Sequence, residues 1–422
     1  MKALSNLISV IGAFLCLTAI TVWASPVSYD AVVTGKDDPA HDIQAVQRAV
    51  DQGGAVLLKG KFDFGDEGRI NIRRNITICG EKDDQGRPIT KIEGGFWTFH
   101  SPLPTLLPPE TAGPKITIQD IHFDGALWAP ICITYSSEAT ITGNKITNVK
   151  PRIPDLPVFG RRDVYRQQGI VLNPRYALPE EKQGGSQPGT VTGSILVSGN
   201  EIDLTCQEPE KTLAQGVMVF WTMGVDVQIL RNRIVNCSRN SIESIDNSPG
   251  KDGSGMTLIK DNRIITATRG VPVPTPSGPN GIVFGWFLDL SGASDPAKRT
   301  RTIITNNHVE AWGDTSLGIG VLIDEAIITS NHIILGGGSQ VRGIMQLTSD
   351  ALIANNRIEG SGLCGISCGY KDFPGSRNIL IGNDFSLLKA SMADVLFEGS
   401  GNMIIGKCGK VVDKGQGNRT VE

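Results

Sequence analysis

The sequence lacks an excess of one charge sign, a second long apolar run and a metal-binding spacing of cysteines. Its 40 basic and 43 acidic residues give a formal net charge of −3, which argues against a nucleic-acid-binding protein. After residue 24, no stretch is both long and apolar enough to span a membrane. The cysteines after that point match no zinc ribbon, and we assign no residue as a metal ligand.

The composition instead favours many short elements joined by turns. The 422 residues include 50 Gly and 23 Pro, and this abundance of chain-bending residues argues against a helical bundle. Apolar residues make up 40% and charged residues 20%, so the chain is able to bury a large core. We therefore predict an all-β protein.

Residues 1–24 have the pattern of a secretory signal peptide. Lys2 is followed by an apolar run from Leu7 to Val22, and Ala24 stands at the expected cleavage position. An uncleaved membrane anchor is the alternative, although the run is short for a spanning helix. This pattern predicts a secreted or periplasmic protein with no membrane span after the signal is removed.

A repeated motif dominates the sequence from about residue 116. It consists of apolar residues in alternation, one or two small residues, an asparagine, any residue, and Ile or Val. The recurring asparagines are Asn144, Asn200, Asn232, Asn262, Asn307, Asn331, Asn356 and Asn383, and we place Asp120 at the same position one repeat earlier. The base period is about 24 residues, lengthened by insertions.

This period predicts a solenoid, and the alternation within each unit excludes helical repeats. A coil of about 24 residues with three short strands is one turn of a parallel β-helix. Its recurring Ile and Val side chains would stack inside, and each asparagine would lie at a bend and hydrogen-bond to the asparagines of adjacent coils. We interpret the asparagines as scaffold rather than catalytic residues.

A short amphipathic helix precedes the first coils. Residues 41–51 place Ile43, Val46 and Val50 at helical spacing, and Gly53-Gly54 ends the pattern. Strand-like segments follow at residues 55–58 and 62–64. A helix at this point would cover the open first coil of a solenoid.

These residues carry a resemblance to a known superfamily. Asp42-Ile-Gln-Ala-Val-Gln-Arg-Ala-Val50, followed by Gly-Gly-Ala-Val-Leu-Leu-Lys-Gly60, resembles the cap and first coil of the pectin-lyase-like right-handed parallel β-helices. The Asn-x-Ile repeats are similar to those of NosD-like and carbohydrate-binding β-helix proteins, over about residues 30–410.

We divide the chain into a signal peptide (1–24), an N-terminal cap with the first coils (25–115), a parallel β-helix (116–410) and a C-terminal tail (411–422).

The resemblance implies that the outer face of one strand in each coil carries the substrate cleft. The strands concerned open with Gly-Ile or a similar pair, and their outward positions are Val171, Met218, Glu243, Val283, Gly320, Met345 and Ser367. Glu243 is the only charged residue among them, which makes it a candidate catalytic group. A structural glutamate paired with a loop is the alternative.

Long insertions gather beside these strands, as they do on the binding face of a solenoid. They occupy residues 150–168, 174–191, 246–255, 267–280 and 285–301. Stacking of the coils would bring together Tyr165, Arg166, Glu243, Asp246 and Asp289. Trp221 and Trp286 would stack on sugar rings, although Trp in a coil is more often core.

Two reactions fit this residue set. A uronate lyase needs a cation that binds the substrate carboxylate and a base that removes the C5 proton. Arg162 or Arg166 would bind the carboxylate, with Arg161 beside them. Tyr165 or Glu243 would move the proton. A glycoside hydrolase needs two carboxylates, Glu243 with Asp246 or Asp289. No cofactor is certain; calcium is the one that uronate chemistry would use. The sequence contains neither the polygalacturonase nor the alginate-epimerase catalytic motif.

A second outward column follows the asparagines. It comprises Lys145, Glu201, Arg233, Arg263, His308, His332, Arg357 and Asp384. It would bind a polyanion along its length or form an ordinary solvated face, and His308 and His332 would lie one coil apart, close enough to share a metal ion.

Our leading hypothesis is an exported monomer that acts on or binds acidic polysaccharide. A non-catalytic carbohydrate-binding or assembly protein and a structural adhesin are the alternatives.

Overall fold

A computed structural model describes residues 28–102, 112–152, 164–173, 191–206, 211–220, 222, 224–245, 254–267, 279–284, 301–313, 315–370 and 373–422. In these segments the chain forms 35 strands and one helix, and all the strand pairs are parallel. No helix within the described ranges is long and apolar enough to cross a membrane. The seven cysteines of these ranges form no disulfide bonds.

The strands form three faces of a solenoid. Sheet 1 contains β1 (Ala31–Thr34), β2 (Gly54–Lys59), β5 (Ile76–Gly80), β8 (Lys115–Gln119), β11 (Ser136–Thr142), β14 (Val191–Ser198), β17 (Asp226–Leu230), β20 (Met256–Lys260), β23 (Arg301–Thr305), β26 (Ile327–Thr329), β29 (Leu352–Ala354), β31 (Ile379–Ile381), β33 (Met403–Ile405) and β35 (Arg419–Val421). Sheet 2 contains β3 (Lys61–Asp63), β6 (Lys91–Glu93), β9 (His122–Asp124), β12 (Lys145–Thr147), β15 (Glu201–Asp203), β18 (Arg233–Cys237), β21 (Arg263–Thr266), β24 (His308–Ala311), β27 (His332–Gly336) and the first part of β30 (Arg357–Cys368). Sheet 3 contains β4 (Ile70–Asn71), β7 (Phe99–Ser101), β10 (Ile131–Ile133), β13 (Tyr165–Leu172), β16 (Thr212–Phe220), β19 (Asn240–Ile245), β22 (Asn280–Phe284), β25 (Leu317–Val321), β28 (Arg342–Gln346), the second part of β30, β32 (Leu388–Phe397) and β34 (Val411–Asp413).

Each coil runs from sheet 1 through sheet 2 to sheet 3 and then returns to the next strand of sheet 1. Equivalent residues pair directly between coils, as Ile234 does with Ile264, and Ile264 with Val309. These side chains are fully buried in one continuous interior core. The predicted parallel β-helix, with Ile and Val stacked inside, is confirmed.

The predicted column of asparagines forms the bend between sheets 1 and 2. Asn232 donates from its backbone N and its Nδ2 to Asn262 Oδ1, both at 3.0 Å, and Nδ2 also donates to Val197 O at 2.9 Å. The same pattern links each asparagine from Asn144 to Asn383. We call this column the asparagine ladder; its members are scaffold, as predicted.

The position before each ladder asparagine explains why small residues recur there. It has a positive φ in every coil, at 57° in Asp261 and 56° in Asn306. Left-handed backbone favours Gly, Asn and Asp, which hold six of the eight positions; Arg231 and Ser330 hold the other two.

Asp120 occupies this left-handed position, with φ 61°. The ladder position one residue later belongs to Ile121, whose backbone N donates to Asn144 Oδ1 at 3.1 Å. The placement of Asp120 in the asparagine column was therefore wrong by one residue.

A second asparagine column closes the last coils. The backbone N of Asn378 donates to Asn402 Oδ1 at 2.9 Å, and that of Asn402 donates to Asn418 Oδ1 at 2.7 Å. In the same region β34 pairs with β32, and β35 pairs with β33. Residues 411–422, predicted as a tail, thus contain the two final strands of the solenoid.

The N-terminal cap is the helix α1, Pro39–Gln52. The side chain of Asp38 accepts from Ala40 N, Pro39 begins the helix, and Gly53 ends it with φ 78°. Val46, Ala49 and Val50 are buried in the interior core, while Ile43 packs against it. The predicted amphipathic helix covers the first coil.

Asp42 fastens this helix to the solenoid. Its fully buried carboxylate accepts from Lys36 N at 2.9 Å and from Asp63 N at 3.0 Å, and His41 Nδ1 lies 3.1 Å away. Burial alone would raise the pKa of Asp42, but these hydrogen bonds outweigh it and hold the pKa below its usual value.

We expect Asp42→Asn to lower the free energy of unfolding by about 2 kcal/mol at neutral pH, because one carboxylate oxygen becomes an amide donor facing N–H groups. A lowered folded pKa stabilises the fold above the unfolded value of about 3.9, and this contribution is lost as the pH falls through the folded pKa. Urea unfolding of the wild type and of Asp42→Asn should therefore show a difference in the free energy of unfolding that becomes smaller below about pH 4. Asp38→Asn is the matched control, since Asn caps helices as well as Asp does; equal destabilisation by both changes would contradict the prediction.

Candidate functional site

The predicted outward column of sheet 3 is in register. Val171 pairs with Met218, Met218 with Glu243, and Glu243 with Val283. Pairing continues through Gly320, Met345 and Ser367. Glu243 is the only charged residue of this column, as the sequence indicated, but the column is covered: the side chain of Glu243 is only 3% exposed.

The glycines of the Gly-Ile and Gly-Val pairs lie inside the strands of sheet 3 rather than at their start, at points where coils approach closely. A Cβ at Gly216 would lie 2.4 Å from Ser241 O, and one at Gly318 would lie 2.6 Å from Gly343 O. Since neither backbone oxygen is able to move freely, only glycine fits. The recurrent Gly-Ile pair is thus a packing requirement of sheet 3.

A chain of buried polar groups surrounds Glu243. Gln215 donates from Nε2 to Glu243 Oε2, and its own Oε1 accepts from Arg166 Nη1 at 2.9 Å. Gln168 Nε2 also donates to Gln215 Oε1, at 3.1 Å, and Trp128 Nε1 donates to Gln168 Oε1 at 2.6 Å. We call these five residues the Glu243 network. Every amide is oriented so that donors point toward the carboxylate.

The Glu243 network joins two opposite charges beneath the surface. Arg166 is 5% exposed and Glu243 is 3% exposed, and both bind Gln215. Buried charges require hydrogen-bonding partners, and the shared amide of Gln215 gives one to each of the two charged groups. The predicted partners Arg166 and Glu243 are therefore brought together through Gln215.

Tyr165 has a different environment. It pairs with Thr212 at the start of β13 and is half-buried. Consecutive side chains of a strand point to opposite sides, so Tyr165 leaves the strand on the side opposite to Arg166. This arrangement favours Glu243 over Tyr165 as the group that works with Arg166.

Two apolar clusters flank Glu243 on the same outer face. The first contains Cys132, Val171 and Met218 under Phe96, Trp97, Trp128, Ala129 and Phe220. Trp97 and Trp128 pack edge to face, with ring centroids 5.5 Å apart. The second contains Leu317, Leu322, Met345 and Leu347, with Tyr370 and Phe373 against it. The sequence did not indicate Trp128, Gln168 or Gln215. Trp128 lies outside the strands, and simple alternation groups Gln168 with inward Ile170 and Gln215 with inward Val217.

The other candidate residues fall outside the described ranges. They are Arg161, Arg162, Trp221, Asp246, Trp286 and Asp289. Their roles stay predictions from the sequence.

Calcium does not fit the described part of this site. The Glu243 network supplies one carboxylate, whereas calcium takes six to eight oxygen ligands. Among the described residues no group of three or more His, Cys, Asp or Glu side chains is arranged to hold a metal ion.

The second predicted column, on sheet 2, is also in register from Lys145 to Asp384. Several of its cations are paired with carboxylates: Arg233 Nη1 lies 3.3 Å from Glu201 Oε1, and Arg357 Nη2 lies 2.7 Å from Glu359 Oε2. These ion pairs reduce the positive potential of the column. Sheet 2 is therefore a weaker candidate for a polyanion than the sequence suggested.

Comparison with known proteins identifies the fold. No protein-family model matches the sequence, and no curated protein sequence matches it. Among solved structures, PfbA, a surface adhesin of Streptococcus pneumoniae, aligns with 87% of this chain and 92% of its own at 12% identity, with a TM-score of 0.51. The A-module of the mannuronan C-5 epimerase AlgE4 of Azotobacter vinelandii aligns with 88% of this chain and 96% of its own at 13% identity, with a TM-score of 0.51. Both are right-handed parallel β-helix proteins, and this chain has the same fold.

Proposed function

We propose that this protein is exported as a monomer and acts on an acidic polysaccharide at the outer side of sheet 3, by abstracting the C5 proton of a uronate residue. The observation that carries the proposal is the hydrogen-bonded chain from Arg166 through Gln215 to Glu243. It places a base and a cation within one network on the face that the resemblance assigns to substrate. A structural neighbour named as a mannuronan C-5 epimerase is consistent with this substrate class.

The composition of the Glu243 network favours proton abstraction over glycoside hydrolysis. Hydrolysis requires two carboxyl groups about 5–9.5 Å apart. Within the described residues of the network, Glu243 is the sole carboxylate, and its partners are amides, a guanidinium and an indole. Proton abstraction needs only one base together with a group that neutralises the substrate carboxylate.

Each residue then has a defined role. Glu243 accepts the C5 proton, and Arg166 neutralises the uronate carboxylate, which makes that proton more acidic. In a lyase reaction the electron pair of the C5–H bond forms the C4–C5 double bond as the C4–O bond breaks, and the departing O4 oxygen takes a proton from water. Gln215 holds Glu243 and Arg166 in fixed orientation and is a positioning residue.

A non-catalytic carbohydrate-binding protein is the second candidate. The observation in its favour is that Glu243 and its partners are almost fully buried, so that substrate reaches them only if the covering side chains move. An adhesin such as PfbA shares the fold. In that case the Glu243 network would be a structural core element, and the glycan would bind elsewhere on the solenoid.

One experiment separates the two candidates. The mature protein is incubated with polygalacturonate, alginate and a glucuronan, with and without calcium, and unsaturated products and reducing ends are followed. Unsaturated products support the lyase reaction, and reducing ends without unsaturation support hydrolysis. Binding without turnover on every polymer supports the non-catalytic candidate.

A further inference from the structure

Two histidines of sheet 2 meet on the surface of the solenoid, remote in sequence from the Glu243 network. His308 in β24 pairs in register with His332 in β27, one coil further on. Their Nδ1 atoms are 3.2 Å apart, and their ring centroids are 4.9 Å apart. The side chains are 31% and 36% exposed, so solutes have access to them.

The far nitrogen of each ring faces a carboxylate. His308 Nε2 lies 3.1 Å from Glu310 Oε1, and His332 Nε2 lies 3.1 Å from Glu359 Oε1. Glu310 follows His308 by two residues, so both point to the same side of the strand. Glu359 is fixed in turn by Arg357, whose Nη2 lies 2.7 Å from Glu359 Oε2.

The contact with Glu310 determines where the proton of His308 lies. An ionised carboxylate only accepts hydrogen bonds, so His308 Nε2 carries a proton and donates it to Glu310. In the neutral ring the other nitrogen, Nδ1, then presents a lone pair. This lone pair lies 3.2 Å from His332 Nδ1, a distance that a proton or a metal ion is able to bridge. His332 Nε2 makes no hydrogen bond, although Glu359 Oε1 lies 3.1 Å away.

We propose that His308 and His332 form a binding site for a borderline divalent metal ion, Zn²⁺ or Cu²⁺, which both Nδ1 atoms coordinate. Metal–imidazole bonds of about 2.0–2.1 Å place two ligand nitrogens about 2.9 Å apart at a right angle and about 3.3 Å apart in a tetrahedron. The observed 3.2 Å lies between these values. Imidazole nitrogen selects these ions over calcium and magnesium, which prefer oxygen.

The two glutamates complete the arrangement that metal-binding histidines require. A ligating imidazole usually donates its other N–H to a carboxylate, which fixes the ring and raises the basicity of the ligand nitrogen. Glu310 accepts from His308 Nε2 in this way, and Glu359 Oε1 lies 3.1 Å from His332 Nε2. Only two protein nitrogens converge, so water fills the remaining positions and the ion exchanges readily. The ion would clamp two adjacent coils together.

The test uses untagged full-length protein, freed of metal and titrated with Zn²⁺ by calorimetry and with Cu²⁺ by electron paramagnetic resonance. We expect one exchangeable site per chain, a Cu²⁺ spectrum with hyperfine coupling to two imidazole nitrogens, and a higher melting temperature with Zn²⁺. His308→Ala and His332→Ala should each abolish the two-nitrogen spectrum. Glu310→Gln and Glu359→Gln should keep the spectrum but weaken affinity about 10–100-fold.

His122→Ala is the matched control. His122 pairs with Lys145 at the start of the same column, and its Nε2 contacts Thr147 Oγ1 at 2.8 Å. This variant should bind both ions as the wild type does. The proposal is overturned if the wild type binds neither ion, which would leave a shared proton between the rings, or if binding persists in both His308→Ala and His332→Ala. None of these readouts involves a polysaccharide, so the outcome is independent of the proposed function.

Discussion

Replacing Asn262 by leucine is expected to lower the free energy of unfolding by roughly 3 kcal/mol or more. Asn262 Oδ1 accepts from the backbone N of Asn232 at 3.0 Å, and Asn262 Nδ2 donates to Ile229 O at 2.8 Å. Leucine has the same branching and the same number of side-chain heavy atoms, but it leaves the buried donor Asn232 N and the buried acceptor Ile229 O without these partners. Each such group costs about 1–3 kcal/mol.

Urea unfolding followed by circular dichroism would measure this loss, and hydrogen–deuterium exchange would locate it. A solenoid is stabilised by interactions between neighbouring coils, so the faster exchange should centre on the coils of β17, β20 and β23. Asn306→Gly is the matched control, because Asn306 is exposed and has φ 56°, which glycine adopts without strain. We expect it to cost under about 1 kcal/mol. Equal stability of Asn262→Leu and the wild type would show that the asparagine ladder does not hold the coils together.

Replacing Glu243 by glutamine is expected to lower the rate of uronate proton abstraction by about 10²–10⁴-fold. Glutamine keeps the shape of the side chain and an oxygen that accepts from Gln215, but it is not a base. The melting temperature should therefore change far less than the rate. Initial rates on the polymer that the wild type degrades, measured as unsaturated product, would give the effect.

Glu201→Gln is the control for this change. Glu201 is an exposed glutamate of sheet 2 that pairs with Arg233, and its loss removes the same charge without touching the Glu243 network. We expect wild-type activity from it. Full activity in Glu243→Gln would exclude Glu243 as the base. Equal losses in both variants would mean that overall charge, rather than the site, controls the reaction.

Several features of this fold were predictable because the β-helix repeats them. The interval between Asn307 and Asn331 is one coil, and coils in register place both residues in one column. Alternation within a strand then separates inward Ile242 from outward Glu243. The misplacement of Asp120 shows the limit of this reasoning. The bend was predicted at the first repeat, but Asp120, the left-handed residue, was assigned to the ladder position that Ile121 occupies.

The candidate site was predictable only in outline. The sequence identified Glu243 as the one charge in an apolar column, and it placed Arg166 nearby. It gave no indication of Gln215 and Gln168, because glutamines in strands are ordinary residues until a buried charge lies beside them. The same holds for the carboxylates that face His308 and His332.

The sequence alone determined the architecture of this protein: a coil of about 24 residues, an interior of stacked aliphatic side chains, an asparagine at each bend and a helix over the first coil. These follow from backbone hydrogen bonding and hydrophobic burial, which recur at a fixed interval along the chain. Only the tertiary structure decided that Glu243 is covered and joined to Arg166 through Gln215, and that two imidazoles face each other between two carboxylates. Side-chain directions and distances across coils decide such contacts, and no interval in the sequence records them.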